Sequence, residues 1–150
     1  MKRITFLFGF GAAMYLLGAA GRPAKQFWNY PGEPKPPGYT RVVSAAPGRT
    51  IYISGAGGSA PDGTMPADFP SQAKNTFENI GRSLKLAGAS FKDVVKINYF
   101  VTDMSYTQEL RRIRAGYLNM DAPPAATLVQ AGLGKGLLLE VEAIAVIPEK

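Results

Sequence analysis

The chain has 150 residues, with 17 basic and 11 acidic side chains, a formal net charge of +6 and a hydrophobic fraction of 46%. This length suits one domain with a substantial core. Cysteine and histidine do not occur, which excludes disulfides, thiol nucleophiles, the usual zinc sites and any catalytic arrangement built on histidine. Chemistry must therefore come from carboxylates, hydroxyls, lysines, arginines, backbone groups or an external cofactor.

The N-terminal segment differs in composition from the rest of the chain. Lys2 and Arg3 precede an uncharged apolar run, Ile4 to Ala20, which ends in the small residues "GAA". This pattern is typical of a secretory signal peptide. Residues 1–20 are therefore predicted to be a signal peptide and the protein to be exported, to the periplasm or the medium. An uncleaved membrane anchor is the alternative, since the run is close to the shortest length that spans a bilayer, and a buried helix is less favoured because the run has no polar stripe.

After removal of residues 1–20 the net positive charge is small, and the basic residues are scattered along the chain. Without Lys2 and Arg3 the chain keeps 15 basic and 11 acidic residues. Proteins that bind nucleic acids usually concentrate basic residues in a stripe. No nucleic-acid partner is expected, and the membrane is involved only through residues 1–20.

Residues 21–38, "GRPAKQFWNYPGEPKPPG", contain five prolines, which disfavour a helix and a central strand. They are predicted to form an extended segment that leads into a domain over residues 39–150. Three aromatic residues in this segment are expected to pack on the domain surface, because three exposed rings would be unusual. They are Phe27, Trp28 and Tyr30.

The first half of the domain predicts a hairpin, a loop and a helix. "RVVS" and "TIYIS" have strand composition and are separated by Pro47-Gly48, which suits the centre of a type II turn. A loop rich in glycine and proline, "GAGGSAPDGTMPADFP", follows. The next segment repeats apolar residues at helical spacing and ends at Gly88, a plausible helix C-cap. The repeat consists of Ala73, Phe77, Ile80, Leu84 and Ala87.

The second half predicts a strand, a helix and two more strands. "VVKINYFV" is a strand by composition. A helix follows with an apolar stripe at Tyr106, Leu110, Ile113 and Tyr117. "ATLVQAG" and "LLLEVEAIAVI" are strands, with a hairpin turn expected at "GLGKG" between them. The element order predicts an α+β domain in which a mixed sheet carries two helices on one face.

Two groups of charged residues invite a functional interpretation. Arg111, Arg112 and Arg114 lie on the second helix, where a solvated basic face is favoured over anion binding or a subunit contact. Arg114 is nearest the apolar stripe and Arg112 almost opposite it. In the last strand, alternation places Glu140 and Glu142 together, away from the core row. Exposure at the start of the strand explains both carboxylates, with partial burial against another subunit further along.

Several motifs together resemble the RidA family of reactive intermediate deaminases, also called YjgF or endoribonuclease L-PSP proteins. They are "PPGYTRVV", "RTIYISGAGG", "FENIGRSLKLAGASFKDVVKINYFVTDM" and "PPAATLVQAGLGKGLLLEVEAIAVIP". The resemblance implies a chorismate-mutase-like α+β fold, a homotrimer and a small-molecule pocket at each subunit interface. It also implies hydrolysis of enamines or imines, such as 2-aminoacrylate, to a carbonyl compound and ammonia without a metal or an organic cofactor.

The resemblance also assigns roles to residues of this chain. Glu140, the first glutamate of "E-x-E", would orient or activate the attacking water. Tyr39 and Gly55 would contact the ligand, Gly55 through its backbone. Arg111 takes a pocket position on the second helix where deaminases commonly carry asparagine. Ala126 and Leu128 would also belong to the substrate-binding residues, in the strand "ATLVQAG".

Ala126 is the main departure from the family pattern, because active deaminases carry an arginine there that grips the substrate carboxylate. The nearest cations in sequence, Arg114 and Lys135, belong to other elements. Loss of that contact should cost about 2 to 4 kcal/mol in transition-state binding. Deamination of imines that do not need this arginine is the leading hypothesis, and a non-catalytic protein that binds or scavenges a metabolite is the alternative. Ribonuclease action, suggested by the older family name, is disfavoured by the scattered charge.

Overall fold

The computed structural model describes residues 23–149 of the chain. The predicted signal peptide lies outside this range, so it stays a prediction. Within residues 23–149, no helix is both long and apolar enough to cross a membrane.

The described residues form six strands and two α-helices. The strands are β1 (Lys25–Trp28), β2 (Val42–Ala45), β3 (Gly48–Ala56), β4 (Val94–Val101), β5 (Ala125–Gln130) and β6 (Leu139–Pro148). The helices are α1 (Phe69–Leu86) and α2 (Thr107–Arg114), and short 3-10 turns span Phe91–Asp93 and Met104–Tyr106. Four strands make one sheet in the order β3-β6-β4-β5, in which only β4 and β5 are parallel. The predicted α+β class with a mixed sheet is confirmed.

Helix α1 has the predicted apolar stripe, and both of its ends are capped. Asp68 precedes the helix, and its Oδ1 accepts a hydrogen bond from the backbone N–H of Ser71 at 2.8 Å. At the other end Gly88 adopts a φ of 70°, which glycine tolerates without strain. The N–H of Ala89 then reaches the carbonyl of Leu84 at 2.9 Å. This is the Schellman arrangement, so the sequence signal at Gly88 is confirmed.

The core lies between the sheet and the helices. Strand β6 contributes every second residue from Leu139 to Ala145, as alternation predicts. From β4 the buried side chains are Val94, Ile97, Tyr99 and Val101. The α1 stripe covers this surface with Ala73, Phe77, Ile80 and Leu84, all fully buried.

The predicted hairpin between β2 and β3 is wrong. Strand β2 pairs with β1 in a separate two-stranded sheet, whereas β3 pairs with β6. Gly48 opens β3 opposite Pro148, and a β-carbon on Gly48 would overlap the carbonyl oxygen of Ile147. Pro47-Gly48 therefore passes the chain from one sheet to the next and does not reverse it.

Strand β1 lies inside the segment predicted to be merely extended. Of the three aromatic residues in that segment, Phe27 is half-buried, but Trp28 is 52% exposed and Tyr30 is 58% exposed. The expectation that all three pack down is therefore wrong for two of them. The guanidinium of Arg41 stacks over the Tyr30 ring at 4.3 Å, which gives that ring a polar neighbour in place of the core.

The predicted hairpin between β5 and β6 is also wrong, because β4 lies between them. Residues 131–138 instead cross from the sheet edge to its centre, and Gln72 of α1 holds this connection. The fully buried Gln72 amide donates from Nε2 to the carbonyls of Gly136 at 2.8 Å and Pro66 at 2.7 Å. Its Oε1 accepts from the backbone N–H of Leu138 at 2.8 Å. This side-chain bracket holds the crossing together with a turn, which the N–H of Leu137 closes on the carbonyl of Gly134 at 3.0 Å.

Helix α2 is shorter than the apolar stripe predicts. Tyr106 belongs to the preceding 3-10 turn and Tyr117 follows the helix. Both rings still pack on the core: Tyr106 stacks on Phe69 with centroids 4.2 Å apart, and Tyr117 on Phe77 at 4.9 Å. The stripe therefore predicts burial correctly and helix length incorrectly.

Replacing Gln72 by leucine tests the bracket. We expect Gln72→Leu to lower the free energy of unfolding by about 3 kcal/mol, since it leaves buried carbonyls and an N–H unpaired at nearly constant volume. Chemical denaturation measures the change. Lys74→Ala, on the exposed side of the same helix, should change it by less than about 0.5 kcal/mol. A loss below about 1 kcal/mol in Gln72→Leu would show that the bracket is dispensable.

Candidate functional site

The outer face of the sheet, opposite the helices, carries a polar row. Glu142 is half-buried there and its Oε1 accepts a hydrogen bond from Nδ2 of Asn98 at 2.8 Å. Lys96 lies on the same face of β4 and donates to Oγ1 of Thr127 at 2.7 Å. Burial lowers the pKa of Lys96, and the nearby charge of Glu142 opposes that shift. Glu142 is thus held by a neighbour in the adjacent strand.

A cavity of about 360 Å³ opens on this face. Its polar lining comes from Tyr52, Ser54, Lys96, Asn98 and Glu142. Glu140 is not in this lining, and the Oδ1 atom of Asn98 is buried without a hydrogen-bond partner among the described residues. Sequence analysis missed Lys96 and Asn98, although two polar residues at alternate positions of the apolar run "VVKINYFV" signal a polar strip on one face.

Glu140 lies next to Gly55, the residue that the resemblance assigns to ligand contact through its backbone. The carboxylate rests on Gly55 so closely that a β-carbon there would overlap Oε1 of Glu140. Within residues 23–149, Glu140 takes part in no ion pair and no side-chain hydrogen bond, in contrast to Glu142. It is half-buried, opposite Phe100 in the β4–β6 register. Of the two carboxylates, Glu140 is the one free to contact a ligand.

The remaining residues assigned by resemblance lie elsewhere in the protomer. Ala126 and Leu128 pair with Ile97 and Tyr99, so they share the helix-covered face and not the face of Glu140. Both are half-buried against the core. The structure therefore does not bring them together with Glu140 within the described residues.

Tyr39 lies in the loop that is tied to the start of β5, and Arg111 lies on helix α2. Tyr39 is half-buried, and Thr40 beside it ties the loop to the start of β5 through its N–H to the carbonyl of Pro124 at 3.2 Å. Its Oγ1 also donates to the carbonyl of Pro123 at 2.7 Å. Arg111 is exposed on α2.

The expectation of a solvated basic face on α2 is right for Arg111 and Arg112 and wrong for Arg114. Arg112 is exposed and paired with Glu109, its Nε donating at 3.0 Å. Arg114 is only 6% exposed, and its guanidinium lies 5.4 Å from the centre of the Tyr99 ring. Being nearest the apolar stripe, Arg114 turns toward the core and stacks on an aromatic face.

Tyr99 is fully buried beside that guanidinium. Burial raises the pKa of its hydroxyl to about 12, although the charge of Arg114 opposes the shift. No hydrogen bond of normal length and angle reaches the hydroxyl of Tyr99 or the Nε of Arg114 in the described part of the chain, although the side chain of Arg114 lies close enough to that hydroxyl to lower its pKa. Two buried polar groups thus lie side by side on the helix-covered face of the sheet.

Comparison with known proteins supports the fold. The model of the family described as Endoribonuclease L-PSP matches residues 33–147. A mouse 2-iminobutanoate/2-iminopropanoate deaminase is 37% identical over 100 residues, which are 65% of this chain and 74% of the mouse protein. RidA from an Antarctic Psychrobacter has 37% identity and a TM-score of 0.63, over 73% of this chain and 88% of that one. Escherichia coli TdcF with bound serine has 31% identity and a TM-score of 0.61, over 65% and 80%.

The mixed sheet with its two helices and open face thus defines an α+β protein of the RidA type. The family match spans most of the residues that the structure describes. The chain belongs to the endoribonuclease L-PSP family, the RidA/YjgF family.

The buried Tyr99 predicts an alkaline loss of stability. Its pKa is about 10 in an unfolded chain and about 12 when folded, so below pH 10 both states are protonated and the contribution is complete. Between pH 10 and 12 the unfolded chain loses this proton first, and the free energy of unfolding should fall by about 2 to 3 kcal/mol. Denaturation at stepped pH should show this slope in the wild type and lack it in Tyr99→Phe.

The exposed tyrosine Tyr52 gives the matched control for that slope. Tyr52 is 77% exposed, so Tyr52→Phe should keep the wild-type alkaline slope. An equal slope in Tyr99→Phe and Tyr52→Phe would assign the alkaline loss to other groups.

Proposed function

We propose that the protein is an exported hydrolase of the RidA type that deaminates small enamines or imines in a pocket between the subunits of a homotrimer. The observation that carries the proposal is the unpaired carboxylate of Glu140 on Gly55, at the open face of the sheet. The names of its relatives support the reaction class, because the mouse protein is a 2-iminobutanoate/2-iminopropanoate deaminase. Export rests on the predicted signal peptide.

The reaction needs only water and one acid–base group. Glu140 removes a proton from a water molecule while the water oxygen attacks the C=N carbon, and the imine nitrogen takes up the proton. The resulting carbinolamine carries OH and NH2 on one carbon. Glu140 next takes the hydroxyl proton of the carbinolamine and passes it to the amino group. The C–N bond breaks as the C=O bond forms, and a carbonyl compound and ammonia leave. Positioned acid–base groups of this kind contribute about 100-fold to 10,000-fold in rate.

The placement of the site residues supports a pocket shared between subunits. Gly55 and Glu140 lie on the outer face of the sheet, whereas Ala126 and Leu128 lie on the helix-covered side, and Tyr39 precedes Thr40, which is tied to the start of β5. A pocket that uses both sets needs the outer face of one protomer against the edge strand β5 of a second. The half-buried row of Glu140, Glu142, Ile144 and Val146 on the outer face suits such a contact.

A second candidate function is binding without turnover. Ala126 favours it, because this position holds a methyl group where the resemblance expects an arginine that anchors the substrate. A protein of this kind would bind imines or their products as a metabolite scavenger and release no ammonia. Ammonia release on addition of imine therefore separates the two candidates.

Paired substitutions of the two glutamates test the catalytic role. We expect Glu140→Gln to lower kcat/KM for ammonia release at least 100-fold, because the amide cannot accept the water proton. Glu142→Gln keeps an oxygen that Asn98 can contact and should lose less than about fivefold. Imines generated in the assay from an amino-acid oxidase supply the substrate. Equal rates for the wild type and Glu140→Gln would remove Glu140 from catalysis.

Gly55 provides a steric test of the same site. In Gly55→Ala the new methyl group displaces only the flexible end of Glu140, so the melting temperature should change by no more than a few degrees. Ammonia release should fall at least tenfold, because the carboxylate moves from its position. Gly132→Ala places its methyl group in open space and should leave both quantities unchanged. An active Gly55→Ala enzyme would show that the contact does not position Glu140.

A further inference from the structure

Arg114 is a buried charge that lacks a counter-ion. Its side chain is 6% exposed, and no carboxylate pairs with it among residues 23–149. A guanidinium keeps its charge at any pH at which proteins fold. Burial of an unpaired charge is costly, and the stacking on Tyr99 offsets only part of that cost. The guanidinium of Arg114 therefore carries a positive charge that a bound anion would neutralise.

A second donor shares this site. The Tyr99 hydroxyl, like the Nε of Arg114, is buried and makes no hydrogen bond of normal geometry within the described chain, although the two side chains are close enough for Arg114 to lower the pKa of that hydroxyl. Both groups donate, because the hydroxyl stays protonated up to strongly alkaline pH. An N–H and an O–H held close together match the two oxygens of a carboxylate.

The surroundings place the guanidinium beside β5. Tyr99, on which it stacks, pairs with Leu128, and Ala126 is two residues away on the same face. On the other side the guanidinium rests on Gly38, where a β-carbon would overlap Nη2 and where φ is 81°. Only glycine combines this backbone conformation with the space. The chain after Gly38 is tied to Pro124, two residues before Ala126.

We propose that Arg114 and Tyr99 bind the carboxylate of the substrate, and that Arg114 takes over from helix α2 the role that Ala126 cannot perform in β5. This inference rests on the proposed function and narrows its substrates to small 2-imino monocarboxylates, with the matching 2-oxo acids as products. It is an alternative to the expectation from sequence that the pocket lacks an anion anchor. The serine bound to TdcF, a relative in the family, is also a small carboxylate.

Binding of a product analogue tests this inference without turnover. The purified chain is titrated by calorimetry with 2-oxobutanoate and with its uncharged amide, 2-oxobutanamide. We expect the wild type to bind the acid at least tenfold more tightly than the amide, because only the acid offers a charge to the guanidinium. Arg114→Met should weaken binding of the acid at least tenfold and leave binding of the amide unchanged.

Arg112→Met is the matched control. It removes an arginine from the same helix, but one that is exposed and paired with Glu109, and it should leave the affinity for 2-oxobutanoate within about twofold. The double substitution Arg114→Met with Ala126→Arg should restore tight binding, since it returns a guanidinium to the same side of β5. If Arg114→Met fails to fold, Arg114→Lys and Tyr99→Phe replace it, each expected to weaken the acid severalfold.

The outcomes separate this inference from the proposed function. The inference is overturned if the wild type and the folded Arg114 variants bind the acid with equal affinity. It is also overturned if the wild type binds acid and amide equally, or does not bind the acid at about 10 mM. Ammonia release from imines without a carboxylate, at the rate seen with 2-iminobutanoate, would keep the proposed function and reject the anchor. Binding of the acid that depends on Arg114, without ammonia release, would support the role of Arg114 and contradict the proposed hydrolase activity.

Discussion

The alternation of side chains along β6 is the constraint on which the rest of the structure depends. Leu139, Val141 and Ala143 are buried beneath the helices, so Glu140 and Glu142 must face outward. A slip of one residue in pairing would bury two carboxylates and expose the core row, at a cost far beyond the stability of a small domain. The same register sets Glu142 opposite Asn98 and Glu140 opposite Phe100. Core and site are thus determined by one strand.

Local patterns in the sequence predict elements better than they predict partners. Strand β4, the stripe of α1 and the cap at Gly88 follow from spacing and composition alone. Both predicted hairpins failed, because turn residues such as Pro47-Gly48 mark a change of direction and not which strands pair. The partners of β3 and β5 depend on long-range contacts, among them the amide of Gln72 reaching the carbonyl of Gly136.

The same limit applies to the site. Periodicity placed Glu140 and Glu142 on one face but could not distinguish them, because the distinction comes from Asn98, 44 residues away along the chain. Resemblance to the family selected Glu140 and Gly55, which the structure brings into contact. It could not show that Ala126 and Leu128 face the opposite side of the sheet, since that follows from their pairing with Ile97 and Tyr99.

On the proposed assignment, Arg114 supplies from helix α2 the charge that the family motif places in β5. A helical wheel places Arg114 nearest the apolar stripe, but its burial without a carboxylate is visible only when α2, β4 and the Gly38 loop are assembled. The side chain of Arg114 needs space between α2 and the strands. The methyl group of Ala126 leaves more space there than an arginine side chain would. On the proposed assignment, alanine at this position belongs to the anion site, because two guanidinium groups side by side would repel each other. Arginine at position 114 and alanine at position 126 are then two parts of one change. The positive charge that binds the carboxylate lies on helix α2 in this chain, and not on strand β5.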